Sequence, residues 1–421
     1  MRYLIYFSIL FLTVACGYGD RVHYKAVETQ NPLLDIMQHD SLLRAIAADP
    51  AKYDVQIIYT QIDRDAQNTP HFKTYQLNAD AAQYFYPAST VKMPLALLSI
   101  EKINALRRQG VSISLDTPYR IDSVRNRQIP YSIEPTSATK LPSIGHDVRY
   151  IFTVSDNYAY NHFIEFLGRE NINKSLLQKG YAHTRIMHRF SISGIDNRFS
   201  APITFFSPDQ KVCYAEGEKQ DATTYTNQQK DLRKGQGYID NNDSLVMQPF
   251  DFSTKNYAAL HDLNDMLQAV IFPESVPAQK RFDLSADDYN FVYRWMSIWP
   301  RESDFPPLKS PEYYDGYCKF LMYGDDTTQR PDHIRIFNKV GDAYGFLTDV
   351  AYIVDLERGV EFMLSATILC NSDGIFNDDT YNYDELGFPF MGKLGRGVYQ
   401  YECQRKRAHK PDLSKFKLSY K

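Results

Sequence analysis

The 421-residue sequence predicts an α/β protein: an antiparallel five-stranded sheet flanked by N-terminal and C-terminal helices, with a mainly helical region between the early and late strands. The first observation is a set of strand-like segments: alternating apolar residues predict an early strand pair, 53–62 and 72–77, and further strand-like segments predict late strands near 339, at 347–354 and at 360–369. The second is apolar residues at helical spacing, which predict helices at 33–48, 257–271, 286–299 and 383–404.

Composition restricts the classes of function. The chain is 43% apolar and 23% charged, with a formal net charge of -4, which is typical of a folded protein with a large core. Basic residues are not in surplus, so no nucleic-acid partner is expected. The cysteines form no Cys-x-x-Cys pair, which argues against a zinc site, and we expect no metal and no cofactor. We expect a monomer.

The first residues have the pattern of an export signal. Met1 and Arg2 precede a short apolar run from Tyr3 to Val14, which ends in Ala15, Cys16 and Gly17. This resembles a bacterial lipoprotein signal, with Cys16 as the lipidated residue; ordinary cleavage or a retained anchor are the alternatives. We therefore expect a signal at 1–16, a linker at 17–32, and a membrane-anchored protein of the bacterial cell envelope, facing the periplasm or the cell surface.

Export would permit disulfides among the other cysteines. The sequence does not choose among the possible pairings, and the same residues could equally be unpaired core thiols. They are Cys213, Cys318, Cys370 and Cys403.

The segment Tyr86–Pro94 runs into an apolar helix that is expected to end near residue 107 or 108. If Ser89 opens this helix, Lys92 lies one turn later on the same face, where its amine can contact the Ser89 hydroxyl. A neutral amine there can activate the hydroxyl as a nucleophile. In the alternative interpretation Ser89 is only a helix cap and Lys92 is solvated. The Ser-x-x-Lys spacing alone is weak evidence, because it recurs at Ser99, Ser137 and Ser414.

Two further motifs follow in order. Ser155-Asp156-Asn157 joins apolar segments and leads into a predicted helix, and Lys339-Val340-Gly341 precedes two predicted strands. Together with the Ser89 segment, they resemble the penicillin-recognising serine hydrolases, and class A β-lactamases most of all. A rival for the third motif, Lys393-Leu394-Gly395, lacks a following strand. The resemblance extends over roughly residues 33–407 and implies the β-lactamase/transpeptidase-like fold.

The resemblance implies three catalytic residues. Ser89 would be the acylated nucleophile, and Lys92 its base or proton relay. Ser155 would pass a proton to the leaving nitrogen. The backbone N–H groups of Ser89 and Asp342 would form an oxyanion hole.

The resemblance also implies a substrate-binding group. Asn157 would hold the substrate amide and help to position Lys92, and Lys339 would attract a substrate carboxylate. Gly341 and Asp342 complete this group. In the alternative interpretation, Ser155 caps a helix, Asn157 satisfies a turn and Lys339 is a solvated strand-edge charge.

Two departures from the family pattern bear on activity. The segment 184–197, where a class A enzyme has the Glu that activates the deacylating water, contains no Glu. His188 and Asp196 are the candidates to replace it, although either can be an ordinary loop residue. Val340 stands where the family has Thr, which removes a hydroxyl that would help to bind a substrate carboxylate.

The predicted domain spans 33–407, with an α/β part at 33–88 and 330–407 and a helical part at 89–329. The helical part contains a polar insertion at about 207–254, expected to form a hairpin or lid. Residues 408–421 are expected to be a basic tail, and the basic run 405–410 a solvated end.

The predicted function is a β-lactamase-like serine hydrolase that opens a β-lactam or related amide through a Ser89 acyl-enzyme, with slow or altered deacylation. One alternative is a cell-wall D,D-peptidase or esterase of the same family, acting on a peptidoglycan-like substrate. The other is a non-catalytic envelope lipoprotein that retains the pocket.

Overall fold

The computed structural model describes residues 31–309 and 311–420. The expected signal at 1–16, with Cys16, and nearly all of the expected linker at 17–32 lie outside the described residues. Export and lipidation therefore stay predictions.

The predicted antiparallel sheet of five strands is confirmed. Its strand order is β3-β4-β5-β1-β2, and every neighbouring pair is antiparallel. The strands are β1 (Gln56–Arg64), β2 (Pro70–Leu77), β3 (Ile334–Ala343), β4 (Phe346–Asp355) and β5 (Val360–Leu369). Lys339 pairs with Val350 and Gly341 with Thr348, so the third motif lies on an edge strand with one side open toward the helical region.

Both faces of the sheet are covered. Successive side chains of a strand point to opposite faces, so one strand contributes to two cores. Ile57 and Tyr59 of β1 belong to a core shared with the N-terminal and C-terminal helices. Ile58 and Ile62 belong to a larger core shared with the helical region. The sheet is thus the middle layer of three, and the edge strand β3 lies where the helical region meets it.

The helices lie close to their predicted positions. The predicted helix 33–48 is two helices, because the Asp40 carboxylate accepts hydrogen bonds from the N–H groups of Leu42 and Leu43 and starts a second helix. The α-helices are Pro32–Gln38, Ser41–Ala48, Lys92–Arg108, Ile144–Thr153, Asn157–Leu167, Arg169–Gln178, Leu260–Ile271, Ala286–Ser297, Phe320–Tyr323 and Phe388–Gln404. The last follows a π-helical turn at Tyr383–Gly387.

The predicted insertion is built from short strands rather than one hairpin. Its end packs against the β3–β4 turn and the start of β4. The ring centroids of Phe250 and Tyr344 lie 5.4 Å apart in a stacked arrangement, and those of Phe252 and Phe346 lie 6.2 Å apart. Short strands of the insertion and its surroundings are Tyr119–Ile121, Thr184–Arg185, Phe199–Ser200, Ile203–Phe206, Val212–Glu216, Lys219–Gln220, Arg233–Lys234, Gly237–Ile239, Leu245–Val246, Phe250–Asp251, Tyr257–Ala258 and Ile375–Phe376.

The expectation of a solvated basic end is wrong for Arg405 and Arg407. Both guanidinium groups pair with the buried carboxylate of Glu402. Farther along, Leu413 and Phe416 are buried in the larger core. A buried carboxylate requires a paired cation, which holds the basic residues against the protein.

Cys213, Cys318, Cys370 and Cys403 are free thiols, so the alternative of unpaired cysteines describes this structure. Within the described residues, no helix is both long and apolar enough to span a membrane.

Candidate active site

The segment that carries Ser89 is a tight turn before the predicted helix. Ala88–Val91 is a 3₁₀ turn, and the α-helix begins at Lys92. Among the described residues the Ser89 side chain makes no hydrogen bond, and the N-cap position is Pro87, whose carbonyl accepts from the Thr90 hydroxyl at 2.6 Å. Ala88 has a φ of 46°, a conformation that is costly for a residue with a Cβ atom. The turn therefore leaves the Ser89 hydroxyl free of a structural role.

Lys92 is fully buried rather than solvated. Its amine donates to the Asn157 Oδ1 at 2.6 Å and to the Ser155 carbonyl, and lies 3.5 Å from the Ser155 Oγ. The predicted direct contact with the Ser89 hydroxyl is not formed among the described residues, because these oxygens hold the amine. Burial, with the nearby Lys339 charge, holds the pKa of Lys92 well below its ordinary value.

Ser155 connects the two lysines. The Lys339 ammonium donates to the Ser155 Oγ at 2.7 Å, and this is the same oxygen that lies 3.5 Å from the Lys92 amine. Burial lowers the pKa of Lys339 to about 8, and its side chain is not a solvated strand-edge charge. Ser155 is not a helix cap either, because Asp156 accepts the capping hydrogen bond from the Ala159 N–H at 2.7 Å. A hydroxyl between two amines can pass a proton between them.

Gly341 brings the edge strand against the Ser89 turn. A Cβ atom at this position would lie 2.7 Å from both the Pro87 carbonyl oxygen and the Ser89 backbone nitrogen. Only glycine allows the two backbones to approach so closely. The three motifs, far apart in sequence, therefore meet around Ser89.

Sequence reasoning missed Ser191, which lies on the segment expected to carry a deacylating base. The Asn157 Nδ2 donates to the Ser191 Oγ at 2.8 Å. The segment is anchored by a bidentate ion pair of Arg189 with Glu165, at 2.7 and 2.9 Å. A lone serine in a loop carries no sequence signal, because its partner is chosen only by folding.

Neither of the two candidates to replace the missing Glu is placed to act as a general base in the cavity. Asp196 is ion-paired with Arg198 at the surface, which lowers the pKa of Asp196 to about 2. His188 lines the cavity, but its Nδ1 bonds to the Arg189 carbonyl at 2.7 Å and its Nε2 is buried without a partner in the described structure. Burial lowers the pKa of His188 to about 4, so the ring is neutral.

These residues surround one cavity of about 1060 Å³. Ser89, Ser155, Asn157 and Asp342 line it, together with the buried Val340. The described residues contain no group of three or more His, Cys, Asp or Glu side chains able to hold a metal ion. The arrangement suits nucleophilic chemistry at a carbonyl group.

Three solved structures illustrate the similarity to known proteins. A β-lactamase from Sphaerobacter thermophilus is 14% identical, and the alignment covers 89% of this chain and 98% of the β-lactamase chain, with a TM-score of 0.47. A class A β-lactamase from Clostridium kluyveri is 15% identical, with coverages of 86% and 99% and a TM-score of 0.46. A β-lactamase from Xanthomonas campestris pv. campestris is 12% identical, with coverages of 87% and 98% and a TM-score of 0.47.

No curated protein matches the chain at a significant level. The family model of the β-lactamase enzyme family matches residues 40–280, which include the Ser89 and Ser155 motifs but not Lys339. This match spans more than half of the 421 residues. The chain therefore belongs to the β-lactamase enzyme family.

Proposed function

We propose that the protein is a serine hydrolase that opens a β-lactam or related amide through an acyl-enzyme on Ser89. The observation that carries this proposal is the hydrogen-bonded chain from Lys339 through Ser155 to Lys92 and Asn157. This chain lies beside Ser89, which lines the same cavity as Ser155 and Asn157. Structural roles as a cap or as solvated charges do not account for these contacts.

In the acylation step, the Ser89 oxygen attacks the substrate carbonyl carbon and its proton passes to the neutral amine of Lys92. Catalytic hydrogen bonds often tighten only when substrate binds, so the missing Ser89 to Lys92 contact is compatible with this role. As the carbon–nitrogen bond breaks, the Ser155 hydroxyl gives its proton to the leaving nitrogen and is reprotonated by Lys92, which passes on the proton that it took from Ser89. The N–H groups of Ser89 and Asp342 stabilise the oxyanion.

Deacylation is slow in this proposal. The segment 184–197 contributes no carboxylate to the cavity, and Ser191 occupies the place beside Asn157. A serine hydroxyl is a poor general base at neutral pH, whereas a well-placed base contributes about 100- to 10,000-fold to a rate. The acyl-enzyme should therefore persist.

Fluorescent penicillin tests both parts. Purified protein and the Ser89→Ala variant are incubated with the reagent, and the covalent product is followed by intact-mass spectrometry and by release of fluorescence. A long-lived adduct on wild type only is the expected result. A rapidly released product would refute slow deacylation, and equal labelling of the variant would refute Ser89 as the nucleophile.

A cell-wall D,D-peptidase or esterase of the same family is the second candidate. Val340 favours the esterase form of this candidate, because this buried apolar side chain lines the cavity and cannot donate a hydrogen bond to a substrate carboxylate, which an ester substrate need not carry. Release of D-alanine from a peptide ending in D-Ala-D-Ala, or hydrolysis of a matched ester, identifies this activity. Both reactions should disappear in the Ser89→Ala variant.

We also propose that the protein is held in the bacterial cell envelope through lipidated Cys16. The support is the sequence alone: a basic start, a short apolar run and Ala15-Cys16-Gly17. Metabolic labelling with a palmitate analogue, followed by membrane fractionation, tests this. Label in the wild type and its loss in Cys16→Ser is the expected result, and an unlabelled wild type overturns it.

A further inference from the structure

Asp342 places a negative charge inside the candidate active site. It lies on β3, next to Gly341, and lines the same cavity as Ser89. The residue has accessible surface, and its carboxylate makes no hydrogen bond and no ion pair within the described structure. A charge exposed in a cavity without a partner acts on whatever enters it.

The strand geometry indicates which part of a substrate Asp342 would meet. Residues two apart on a strand share a face, so the Asp342 side chain lies on the same face as Val340. Val340 stands at the position whose hydroxyl would help to bind a substrate carboxylate, and Lys339 is the cation expected to attract it. The Asp342 charge lies near the Lys339 ammonium. The protein thus supplies its own carboxylate in this region.

The surroundings of Asp342 add to its negative charge. Glu312 lines the same cavity with the rings of Tyr314 and Tyr317. Burial raises the pKa of Tyr317 to about 12, and the nearby charges of Asp342 and Glu312 act in the same direction. We call the end of the cavity formed by these four residues the acidic end.

The Lys339 ammonium attracts the Asp342 carboxylate, but it already donates to the Ser155 Oγ and the Val340 carbonyl and does not line the cavity. The two cations that do line the cavity are also engaged elsewhere. Arg189 is neutralised by its buried pair with Glu165. The Lys255 ammonium is held elsewhere, with its Nζ 3.1 Å from the Tyr344 hydroxyl and 5.5 Å from the centre of the Phe250 ring. An anionic group entering the acidic end therefore meets two carboxylates.

We propose that Asp342 determines substrate specificity: it rejects substrates with a carboxylate beside the scissile amide or ester and favours those with an uncharged or amine-bearing group there. This rests on the proposed acylation of Ser89. An amine suits the acidic end, because carboxylates and tyrosine rings both attract a cation. Specificity of this kind arises from repulsion of the wrong ligand as much as from attraction of the right one.

The test compares benzylpenicillin with its methyl ester, which differ in the carboxylate alone. In wild type, the methyl ester should acylate Ser89 about tenfold or more faster, as a single like-charge contact predicts. In Asp342→Asn, the rate with benzylpenicillin should rise and the preference should largely disappear. Asp243→Asn removes the same charge from an exposed position that does not line the cavity, and should leave the preference unchanged.

A binding measurement separates this inference from the proposed chemistry. In the Ser89→Ala background, calorimetry gives the affinities of both ligands with and without Asp342→Asn. A preference for the methyl ester that depends on Asp342 supports the inference even if wild type forms no adduct, an outcome that counts against the proposed function. Equal binding of both ligands, an unchanged ratio in Asp342→Asn, or no binding of either ligand overturns the inference.

Discussion

The contact of Gly341 with the Ser89 turn gives the sharpest mutational prediction. A Gly341→Ala substitution places a Cβ atom 2.7 Å from the Pro87 carbonyl oxygen and the Ser89 nitrogen, and 2.8 Å from the Thr90 nitrogen. All three are backbone atoms, so no change of rotamer relieves the clash. Restoring an ordinary separation of 3.4 Å requires the strand and the turn to move apart by about 0.7 Å.

This displacement acts on the reacting geometry itself. A misplacement of about 1 Å can cost roughly 100-fold in rate, so we expect acylation in Gly341→Ala to fall about 10- to 100-fold. Overpacking should also destabilise the fold by about 1–3 kcal/mol. The rate is measured by intact-mass spectrometry with a β-lactam that labels wild type, and the stability by chemical unfolding.

Gly217→Ala is the matched control, because a Cβ atom there has no atom within 4 Å. It should match wild type in both measurements. A folded Gly341→Ala protein that acylates at the wild-type rate would refute the close approach of β3 to the Ser89 turn. Loss of rate in both variants would show that the effect is not specific to this contact.

Three further predictions follow from the site. Acylation should fall as pH rises through about 8, the pKa of Lys339, because deprotonation removes the positive charge of the ammonium that donates to the Ser155 hydroxyl; a rate that keeps rising to pH 10 would contradict this. Ser191→Glu should shorten the lifetime of the acyl-enzyme by about tenfold or more, measured by mass spectrometry, because it adds a general base; an unchanged lifetime would exclude Ser191 as the determining position. Glu165→Gln should destabilise the protein by about 3–5 kcal/mol in chemical unfolding, because Arg189 is left buried without its partner, and Glu165→Gln with Arg189→Met should lose less.

Periodic segments were predictable because their signal is local. The alternating segment 53–62 and its partner 72–77 became β1 and β2, the strand-like segments 347–354 and 360–369 became β4 and β5, and each strand lies close to its expected bounds. The sequence was insufficient to predict an element boundary where a side chain could act in two ways. Asp40 divides the first predicted helix, because it can cap a new helix as readily as it can lie within one.

The candidate site was predictable through its motifs and only in part. The motifs identified Ser89, Lys92, Ser155 and Lys339, but not that the Lys92 amine would be held by Ser155 and Asn157. The fold also decides between the two candidates for the third motif. Lys393-Leu394-Gly395 lies inside a helix, whereas Lys339 lies on an edge strand.

The sequence by itself determined which segments become strands and helices and which side chains are candidates for a serine nucleophile and its bases. Only the tertiary structure decided which groups meet: Ser191 lies against Asn157, and Asp342 enters the cavity without a hydrogen-bond partner among the described residues. The physical reason is range. Backbone preference and hydrophobic periodicity act over a few neighbouring residues, whereas burial, pKa shifts and charge complementarity depend on contacts between segments far apart in the chain.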